Sequence, residues 1–426
     1  MSSLLKRNKI LFNIHLVLSI VFSIPLLVVG VTGAILSYQH ELEALINAGS
    51  KKVEKTGEMQ SVEKILQSFS EQTGVKQPVR LVVPKSDDEA FVVYASRNDA
   101  YLVDPYTAQI IGKDRGTGFV CVVMSLHRNL GLALSGNKTA GEIGKQIVGA
   151  SAVAMILLVI SGVWLHFPKL RRKFAEAIKP NFKLKKYALF YNLHTSLGSL
   201  SAVIYLLICL TGLNWSYSWY NDAVMKLFVS SQNLPQAGAH GGHAHKDHAA
   251  APAKEGAEYK FGDAQRAYEI FRSSDIEYKE FTLMLAAADK IGVRYYEPDA
   301  PATARPKGAS ADLKTGKIAK QKQAEGITAG DVKNANYQLH TGYFFGLAGK
   351  ILWSLVSLCM ALFIFSGFYM TTKRAFKSKS LAKFYLRDKG GKFIKFYLAN
   401  EDDKFKFTHR DRLNFLLSAI YLLRRE

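Results

Sequence analysis

Four long stretches without a charged residue constrain this 426-residue chain more than any other feature. They cover residues 10–40, 146–168, 187–221 and 351–372 and contain 31, 23, 35 and 22 residues. A helix of about 20 apolar residues is long enough to cross the hydrocarbon core of a bilayer. The near-zero mean hydropathy of the whole chain, +0.01, therefore averages membrane helices with polar segments. This pattern excludes a soluble enzyme, a structural fibre and a disordered chain.

Most of the positive charge lies in three segments beside these stretches. Residues 1–10, 167–190 and 371–426 carry 26 basic and 7 acidic residues, which is 19 of the net charge of +21. Lys and Arg concentrate on the cytoplasmic side of membrane proteins, so we expect both termini and the middle loop to be cytoplasmic. The charge then indicates topology and attraction to membrane lipid, worth about 1 kcal/mol per basic side chain near the surface, and no nucleic-acid partner.

The chain contains an internal repeat. An Asn-x-His and a Thr-Gly pair of the first half recur 179 residues later in the second half. Each half also contains Leu-His, Gly-Lys and Ser-Gly, with 17 residues from Gly-Lys to Ser-Gly in both. A duplicated unit of helix, outer domain and helix accounts for this order. The matched positions are His15 and His194, Thr32-Gly33 and Thr211-Gly212, His127 and His340, Gly144-Lys145 and Gly349-Lys350, and Ser161-Gly162 and Ser366-Gly367.

Each segment outside the membrane is predicted to fold as a helix followed by strands. The helices have apolar residues at helical spacing, and the strands are rich in β-branched and aromatic residues. The predicted helices are residues 61–70 and 263–271, and the predicted strands are residues 79–83, 90–94, 101–111, 280–285 and 292–296.

The fold class that follows is an α-helical membrane protein. It consists of a four-helix transmembrane bundle with two α+β extracytoplasmic domains and an internal duplication. The expected parts in chain order are 1–40 (cytoplasmic N-terminus and first span), 41–141 (first outer domain), 142–168 (second span), 169–186 (basic cytoplasmic loop), 187–221 (third span), 222–336 (second outer domain), 337–372 (fourth span) and 373–426 (basic cytoplasmic tail).

This arrangement resembles the PepSY-associated transmembrane family, whose members include FoxB-type siderophore-iron reductases and other iron-regulated inner-membrane proteins. The resemblance rests on the Asn-x-His and Thr-Gly motifs, on Leu126-His127 and Leu339-His340, and on the strand at 101–105. It covers almost the whole chain before residue 375. It implies PepSY-like outer domains, a place in a bacterial inner membrane and two b-type haems bound by transmembrane histidines.

The positions of four histidines favour the same chemistry independently of the resemblance. His15 and His194 each begin a membrane helix at the cytoplasmic face, whereas His127 and His340 each precede a helix entered from outside. A haem held between two helices needs one imidazole on each side of the iron. We therefore expect His15 with His194 at one depth and His127 with His340 at another. For each histidine the alternative is an interfacial ring bonded to a backbone carbonyl.

Five further positions belong to this hypothesis. Gly30, Gly33 and Gly212 lie beyond the histidines on the same helices and would let a flat macrocycle or a neighbouring helix approach closely. His40 and His166 have no counterpart in the other half of the repeat. Each is a substitute ligand, and a side chain that reaches the membrane interface is the alternative.

A third group of histidines lies in an Ala/Gly/His-rich segment at 235–256. Neutral imidazole binds late divalent metals such as Cu, Ni, Zn or Fe, so this segment is a candidate for metal capture. A solvated flexible linker is the alternative. The residues are His240, His243, His245 and His248.

The function that the sequence favours is a haem-containing ferric-siderophore reductase. It would pass electrons across the membrane to a ferric siderophore or another ferric chelate outside. The chain lacks a phosphate loop and a dinucleotide-binding motif, so we expect membrane quinol or a separate cytoplasmic flavoprotein as donor. Two alternatives remain open. One is a transporter of siderophores or metal complexes without redox work, and the other is a regulatory module whose outer domains bind peptides.

Overall fold

The computed structural model describes residues 2–96, 98–233, 260–286, 289–300, 306–320, 325–377, 384–387 and 393–396. The predicted His-rich segment with His240, His243, His245 and His248 lies outside these residues, as does most of the predicted cytoplasmic tail.

Helices form most of this described part. Three short 3₁₀ turns at 132–135, 231–233 and 343–345 join some of them. The α-helices are α1 (Ser2–Val21), α2 (Ser23–Leu36), α3 (Gln39–Ile46), α4 (Val62–Thr73), α5 (Arg115–Asn129), α6 (Lys138–Arg172), α7 (Phe174–Ile178), α8 (Lys186–Ser216), α9 (Ser218–Phe228), α10 (Phe261–Arg272), α11 (Ala329–Thr341) and α12 (Gly346–Lys377).

The strands form two antiparallel sheets. The large sheet has eight strands in the order β4-β3-β2-β1-β5-β6-β7-β8, and β9 and β10 form a second, two-stranded sheet. The strands are β1 (Arg80–Pro84), β2 (Phe91–Tyr94), β3 (Ala100–Val103), β4 (Ile110–Lys113), β5 (Glu280–Met284), β6 (Lys290–Tyr296), β7 (Lys307–Asp312), β8 (Lys317–Lys320), β9 (Phe384–Arg387) and β10 (Phe393–Phe396).

Three helices are long and apolar enough to cross a membrane, among the described residues. They are α6, α8 and the helix from Tyr343 to Arg374, which contains most of α12. The pair α1 and α2 passes the same test only when its two parts are taken together, because the helices are bent by 66° at the break between them. The structure therefore contains three candidate spans, or four if the bent pair is a single span.

The bend in the first apolar stretch has a local cause that the predicted span at 10–40 did not include. Pro25 lies in the first turn of α2. A proline has no backbone N–H, and its ring clashes with the carbonyl oxygen four residues earlier, here that of Val21. Val21 is the last residue of α1. The helical hydrogen bonds resume with the amide of Leu26, which donates to the carbonyl of Phe22 at 2.9 Å.

The two segments predicted as separate outer domains share one sheet. Strands β1 and β5 lie side by side at its centre, where Leu81 pairs with Leu283 and Val83 with Phe281. Each half of the sheet is preceded by a helix, α4 or α10, and these two helices pack against each other. Buried apolar side chains of both halves form a single hydrophobic core over β1 and β5. The same order of elements thus occurs twice around one core.

The residues 101–111, predicted as a single strand, contain a turn. Asp104 follows β3, and its carboxylate accepts hydrogen bonds from the amides of Tyr106 and Thr107 at 2.8 and 3.4 Å. Asp312 closes the turn between β7 and β8 in the same way. Because an aspartate that bonds to the amides two and three residues ahead favours a turn, both halves reverse direction at this residue.

The long helices form a bundle below the sheet. Helix α6 packs against α1 and α8, and α12 packs against α2 and α8. A small residue permits one of these approaches. A Cβ atom added at Gly30 of α2 would lie 2.8 Å from the Cβ of Met360 on α12, so this glycine serves contact between helices.

Candidate cofactor site

The structure brings His127 and His340 together at the end of the bundle nearest the large sheet. His127 is on α5 and His340 on α11, and their ring centres are 6.1 Å apart with an angle of 70° between the ring planes. We call these two residues the sheet-side pair. Both histidines lie on short helices next to candidate spans, since α5 precedes α6 and α11 precedes α12.

Both of these short helices have a side-chain cap at the N-terminus and a residue with positive φ at the C-terminus. Asp114 caps the start of α5 by accepting a hydrogen bond from the amide of Thr117 at 2.8 Å. Thr328 and Asp331 form a capping box at the start of α11. Helix α5 ends at a residue with positive φ, Leu130, and α11 ends at Gly342 with φ of +79°. Each histidine therefore lies in the last turn of a helix whose two ends are fixed.

The second pair, His15 and His194, lies inside the long helices. His15 is on α1 and His194 on α8, and the two rings are close enough to interact electrostatically. We call them the distal pair. The structure records no direct ring contact between them, whereas His194 contacts the ring of Phe363, with the ring centres 5.4 Å apart.

A hydroxyl group on another helix holds each of the four rings. In the sheet-side pair, the Nδ1 atoms of His127 and His340 lie 3.1 and 3.0 Å from the Oγ1 atoms of Thr32 and Thr211. In the distal pair, the Nδ1 atoms of His15 and His194 each lie 2.8 Å from a serine Oγ. The serines are Ser161 and Ser366.

The same four hydroxyls determine which nitrogen of each ring carries the proton. Each hydroxyl lies 2.5 to 2.7 Å from the carbonyl oxygen one helical turn earlier, to which it donates its only proton. The hydroxyl must then accept from the Nδ1–H of the histidine. Carbonyl oxygens can only accept, and those of Val29 and Ile208 lie 3.1 and 3.0 Å from the sheet-side Nδ1 atoms. The carbonyls of Leu158 and Phe363 face the distal rings in the same way.

This arrangement leaves the lone pair on Nε2 of all four rings. Among the described residues, none of these Nε2 atoms has a hydrogen-bond partner. A neutral imidazole whose Nδ1–H is engaged by a fixed acceptor is the usual state of a histidine that binds a metal through Nε2. Each of the four residues could therefore donate a lone pair to a metal.

A glycine next to each hydroxyl lies against the ring. A Cβ atom added at Gly33 or Gly212 would lie 3.2 Å from Cε1 of His127 or His340. A Cβ at Gly162 would lie 3.3 Å from Cε1 of His15, and one at Gly367 would lie 3.9 Å from Cε1 of His194. The repeated Thr-Gly and Ser-Gly motifs are thus four equivalent cradles, each consisting of one hydroxyl and one glycine.

The cradles bring together histidines and glycines that the sequence analysis did not pair. Gly33 was expected to serve His15, and Gly212 to serve His194, because each pair lies on one apolar stretch. In the structure Thr32-Gly33 holds His127 and Thr211-Gly212 holds His340. The equal number of histidines and hydroxyl–glycine motifs in the repeat was the available signal for these contacts.

Burial keeps the sheet-side rings neutral. Desolvation, together with the neighbouring His340 and Arg128, lowers the pKa of His127 to about 3. Desolvation also lowers the pKa of His340 to about 4, although its hydrogen bond to the carbonyl of Ile208 opposes the shift. Both rings lie on helices outside the spans, and both are uncharged at pH 7. This is the form that can donate a lone pair to a metal.

The ring-centre separation of the sheet-side pair is close to that of two imidazoles on one metal. With metal–nitrogen bonds of about 2 Å and about 1 Å from each nitrogen to its ring centre, two opposed imidazoles have centres about 6 Å apart. The observed separation of the ring centres of His127 and His340 is 6.1 Å.

An aromatic and a basic side chain that no sequence motif indicated lie beside this pair. The ring centre of Trp215 is 5.0 Å from that of His340, and Arg128 lies over the same indole.

The two substitute ligands lie apart from the four cradles. His40 is in the first turn of α3, with its Nδ1 3.9 Å from a carboxylate oxygen of Glu43. The Nδ1 of His166 on α6 is 2.8 Å from Oγ of Ser199 on α8, which is not followed by glycine. Among the described residues no group of three or more His, Cys, Asp or Glu side chains could hold a metal ion.

Comparison with known families gives one match. A family model described as "PepSY-associated TM region" matches residues 12–374, which include all four histidines and all four cradles. No curated protein matches the chain.

Proposed function

Since the chain belongs to the PepSY-associated transmembrane family, as its motifs predicted, we propose that this membrane protein is a haem-containing oxidoreductase. In this proposal it passes electrons across the bacterial inner membrane and reduces a ferric siderophore or another ferric chelate on the outer side. The observation that carries the proposal is that four part-buried histidines, in two pairs, each have Nδ1 against a hydroxyl that already donates to a carbonyl, which assigns the proton to Nδ1 and the lone pair to Nε2.

The proposal includes a four-span topology with both termini in the cytoplasm. The bent pair of α1 and α2 is one span, and α6, α8 and α12 are the other three. The basic residues support this orientation, since Lys169, Arg171 and Arg172 lie in the last turn of α6, away from the sheet. The large sheet then lies outside the membrane as a pair of PepSY-like units. Their matching order of elements supports an internal duplication.

Two b-type haems are the proposed cofactors. His127 and His340 would hold one, and His15 and His194 the other. The donor set fits haem because paired neutral imidazoles are axial ligands of b-type centres. When bound, such a group supplies reversible one-electron transfer, and ligation on both sides leaves no open iron position for oxygen chemistry.

The chain's own residues position and shield these ligands. The threonine and serine hydroxyls fix the orientation of each ring, as hydrogen-bond partners of metal-bound histidines do. The glycines leave space beside Cε1. Apolar side chains of α2, α6, α8 and α12 pack between the two pairs and exclude water from this part of the bundle.

A ferric chelate is the proposed substrate because reduction changes how firmly iron is held. Chelators with hard oxygen donors hold ferric iron more tightly than ferrous iron, so reduction favours release. Membrane quinol or a separate cytoplasmic flavoprotein would supply the electrons. The iron of the chelate is the substrate of this reaction and is distinct from the two haem irons.

A reduced-minus-oxidised absorption spectrum of the purified full-length protein tests the proposal. We expect b-type bands, about two haems per chain, and reoxidation of the dithionite-reduced protein by a ferric hydroxamate. A chain without haem would reject the reductase and leave the transporter or the peptide-binding module. Haem that ferric chelates do not reoxidise would reject the substrate while leaving an electron-transfer protein.

A further inference from the structure

One buried histidine is not explained by the four cradles. His166 is only 5% exposed, and its Nδ1 lies 2.8 Å from Oγ of Ser199. Its Nε2 is buried and has no hydrogen-bond partner among the described residues. A buried polar atom without a partner is rare because it loses its hydrogen bond to water and gains nothing in exchange. A ligand that forms a hydrogen bond with this Nε2 atom would restore the bond that burial removes.

His166 differs from the cradle histidines because its hydrogen bond to Ser199 does not fix which ring nitrogen carries the proton. Each cradle hydroxyl donates to a carbonyl of its own helix, which fixes the ring tautomer. Among the described hydrogen bonds, that of Ser199 to His166 is the only one of its hydroxyl. This hydroxyl can accept from Nδ1–H or donate to an unprotonated Nδ1. Nε2 can correspondingly accept a hydrogen bond or donate one.

An apolar groove begins beside this histidine. Its volume is about 390 Å³, and it runs between α6 and α8. Val163 lies one helical turn before His166, and Ala202 lies one turn after Ser199, so the hydrogen bond between His166 and Ser199 lies about one turn beyond the lining residues, at one end of the groove. This end faces the basic end of α6. The groove is lined by Val159, Val163, Phe167, Ala202, Val203 and Leu206, among others.

We propose that this groove and His166 bind a membrane quinol, the donor side of the function proposed above, on which this inference rests. A quinol has a hydroxylated ring that can both donate and accept a hydrogen bond, and a long apolar tail. Nε2 of His166 would bond a ring hydroxyl, and the groove would hold the tail. A phospholipid fits less well, because its charged phosphate stays at the interface whereas Nε2 is buried. Since that atom is buried, side chains at this end of the groove must move to admit the ring.

The position of His166 suits transfer to the distal pair. Ser161, which holds His15, is on the same helix, and five residues correspond to about 7.5 Å along it. Oxidation of one quinol breaks two O–H bonds and releases two protons and two electrons. Nε2 would take one proton and water at the inner surface the other, and the two electrons would pass, one each, to the two haems that the four cradle histidines would hold. The quinone leaves through the groove.

Photolabelling of the full-length protein in lipid nanodiscs with an azido-benzoquinone tests binding without using haem. We expect adducts on residues 159–167 and 199–206 that excess decyl-benzoquinone prevents. His166→Leu should reduce this protected labelling about tenfold, because the hydrogen bond to the ring is lost. His40→Leu, at the other end of the bundle, is the matched control and should leave the labelling unchanged.

A second measurement follows reduction of the haem bands by decyl-benzoquinol. We expect His166→Leu to slow this reduction about tenfold, with full reduction by dithionite and unchanged haem content. His166→Gln keeps a hydrogen-bonding group and should retain more of the rate. Labelling that His166→Leu does not alter, or that phosphatidylglycerol rather than the benzoquinone prevents, would overturn the quinol site. A chain that lacks haem but keeps protected labelling would reject the reductase and not the binding site.

Discussion

The sheet-side and distal pairs use one cradle in two different ways. In both, a hydroxyl and a glycine of one helix hold a histidine of another. The sheet-side histidines come from the short helices α5 and α11, and their ring centres are 6.1 Å apart. The distal histidines belong to the long helices α1 and α8 and are not in ring contact. The hydroxyl–glycine motif, rather than the kind of helix that carries the histidine, is therefore the common feature that places each imidazole.

The origin of each pair's spacing also differs. The sheet-side spacing depends on the sheet, because Asn47 bonds to Asp114 at 2.8 Å and accepts from the amide of Gly116 at 3.0 Å at the start of α5. The distal spacing depends on how α1 packs against α6, and hence on the bend near Pro25. Changes near the sheet should therefore affect one pair and leave the other intact.

Removal of a ligand should give the largest effect. We expect His127→Ala and His15→Ala each to lose about one of the two haems, because one imidazole alone cannot complete axial ligation. The lost bands should differ between the two variants. Haem extraction and low-temperature spectra measure this, with His40→Ala as the control. Loss of both haems in either variant would show that the two pairs are not independent.

Enlarging a glycine near the short helices should disturb the sheet-side pair alone. A Cβ at Gly144 would lie 2.1 Å from the backbone oxygen of Asn129, and one at Gly349 would lie 2.4 Å from that of Gly342. These contacts explain the glycine of the repeated Gly-Lys motif. We expect Gly144→Ala to cost about 1–3 kcal/mol of stability and to alter only the bands of the sheet-side haem.

The control for this variant is Gly118→Ala, because a Cβ at Gly118 meets no atom within 4 Å. Thermal unfolding and the absorption spectrum are the measurements. Equal changes in both haems after Gly144→Ala would contradict the separation of the two pairs.

Removal of a cradle hydroxyl should weaken both pairs to a similar degree. Thr32→Val and Ser161→Ala each delete the acceptor of an Nδ1–H while leaving the backbone carbonyl beside it. Loss of such a partner typically lowers metal affinity roughly 10- to 100-fold, so we expect faster haem loss to apo-myoglobin in both variants. A large effect in one pair and none in the other would mean that the cradles are not equivalent.

The smallest effects should come from glycines that contact the rings. A Cβ at Gly33 would lie 3.2 Å from the ring of His127, whereas one at Gly367 would lie 3.9 Å from that of His194, which is ordinary contact. We expect Gly33→Ala to cost about 1 kcal/mol and to shift its reduced band slightly. Gly367→Ala should leave the other band unchanged. A shift after Gly367→Ala alone would reverse the comparison.

Local patterns in the sequence were sufficient to find the family and the apolar segments. The Asn-x-His, Leu-His and Thr-Gly motifs identified the family that the comparison confirms. The uncharged stretches coincide with α6, α8 and α12 because a run of apolar side chains is a property of neighbouring residues. The bend between α1 and α2 could also have been predicted, since Pro25 is visible in the sequence.

The contacts between distant segments were decided only by the tertiary structure. The cradle bonds join residues 95, 129, 146 and 172 positions apart, and β1 pairs with β5 across about half the chain. Periodicity and motif spacing carry no information about which of several equivalent partners meet, because that choice depends on the packing of whole helices. The sequence by itself thus determined the proposed ligand residues and the apolar helices. Folding decided which hydroxyl holds which imidazole, and that two predicted domains share one sheet.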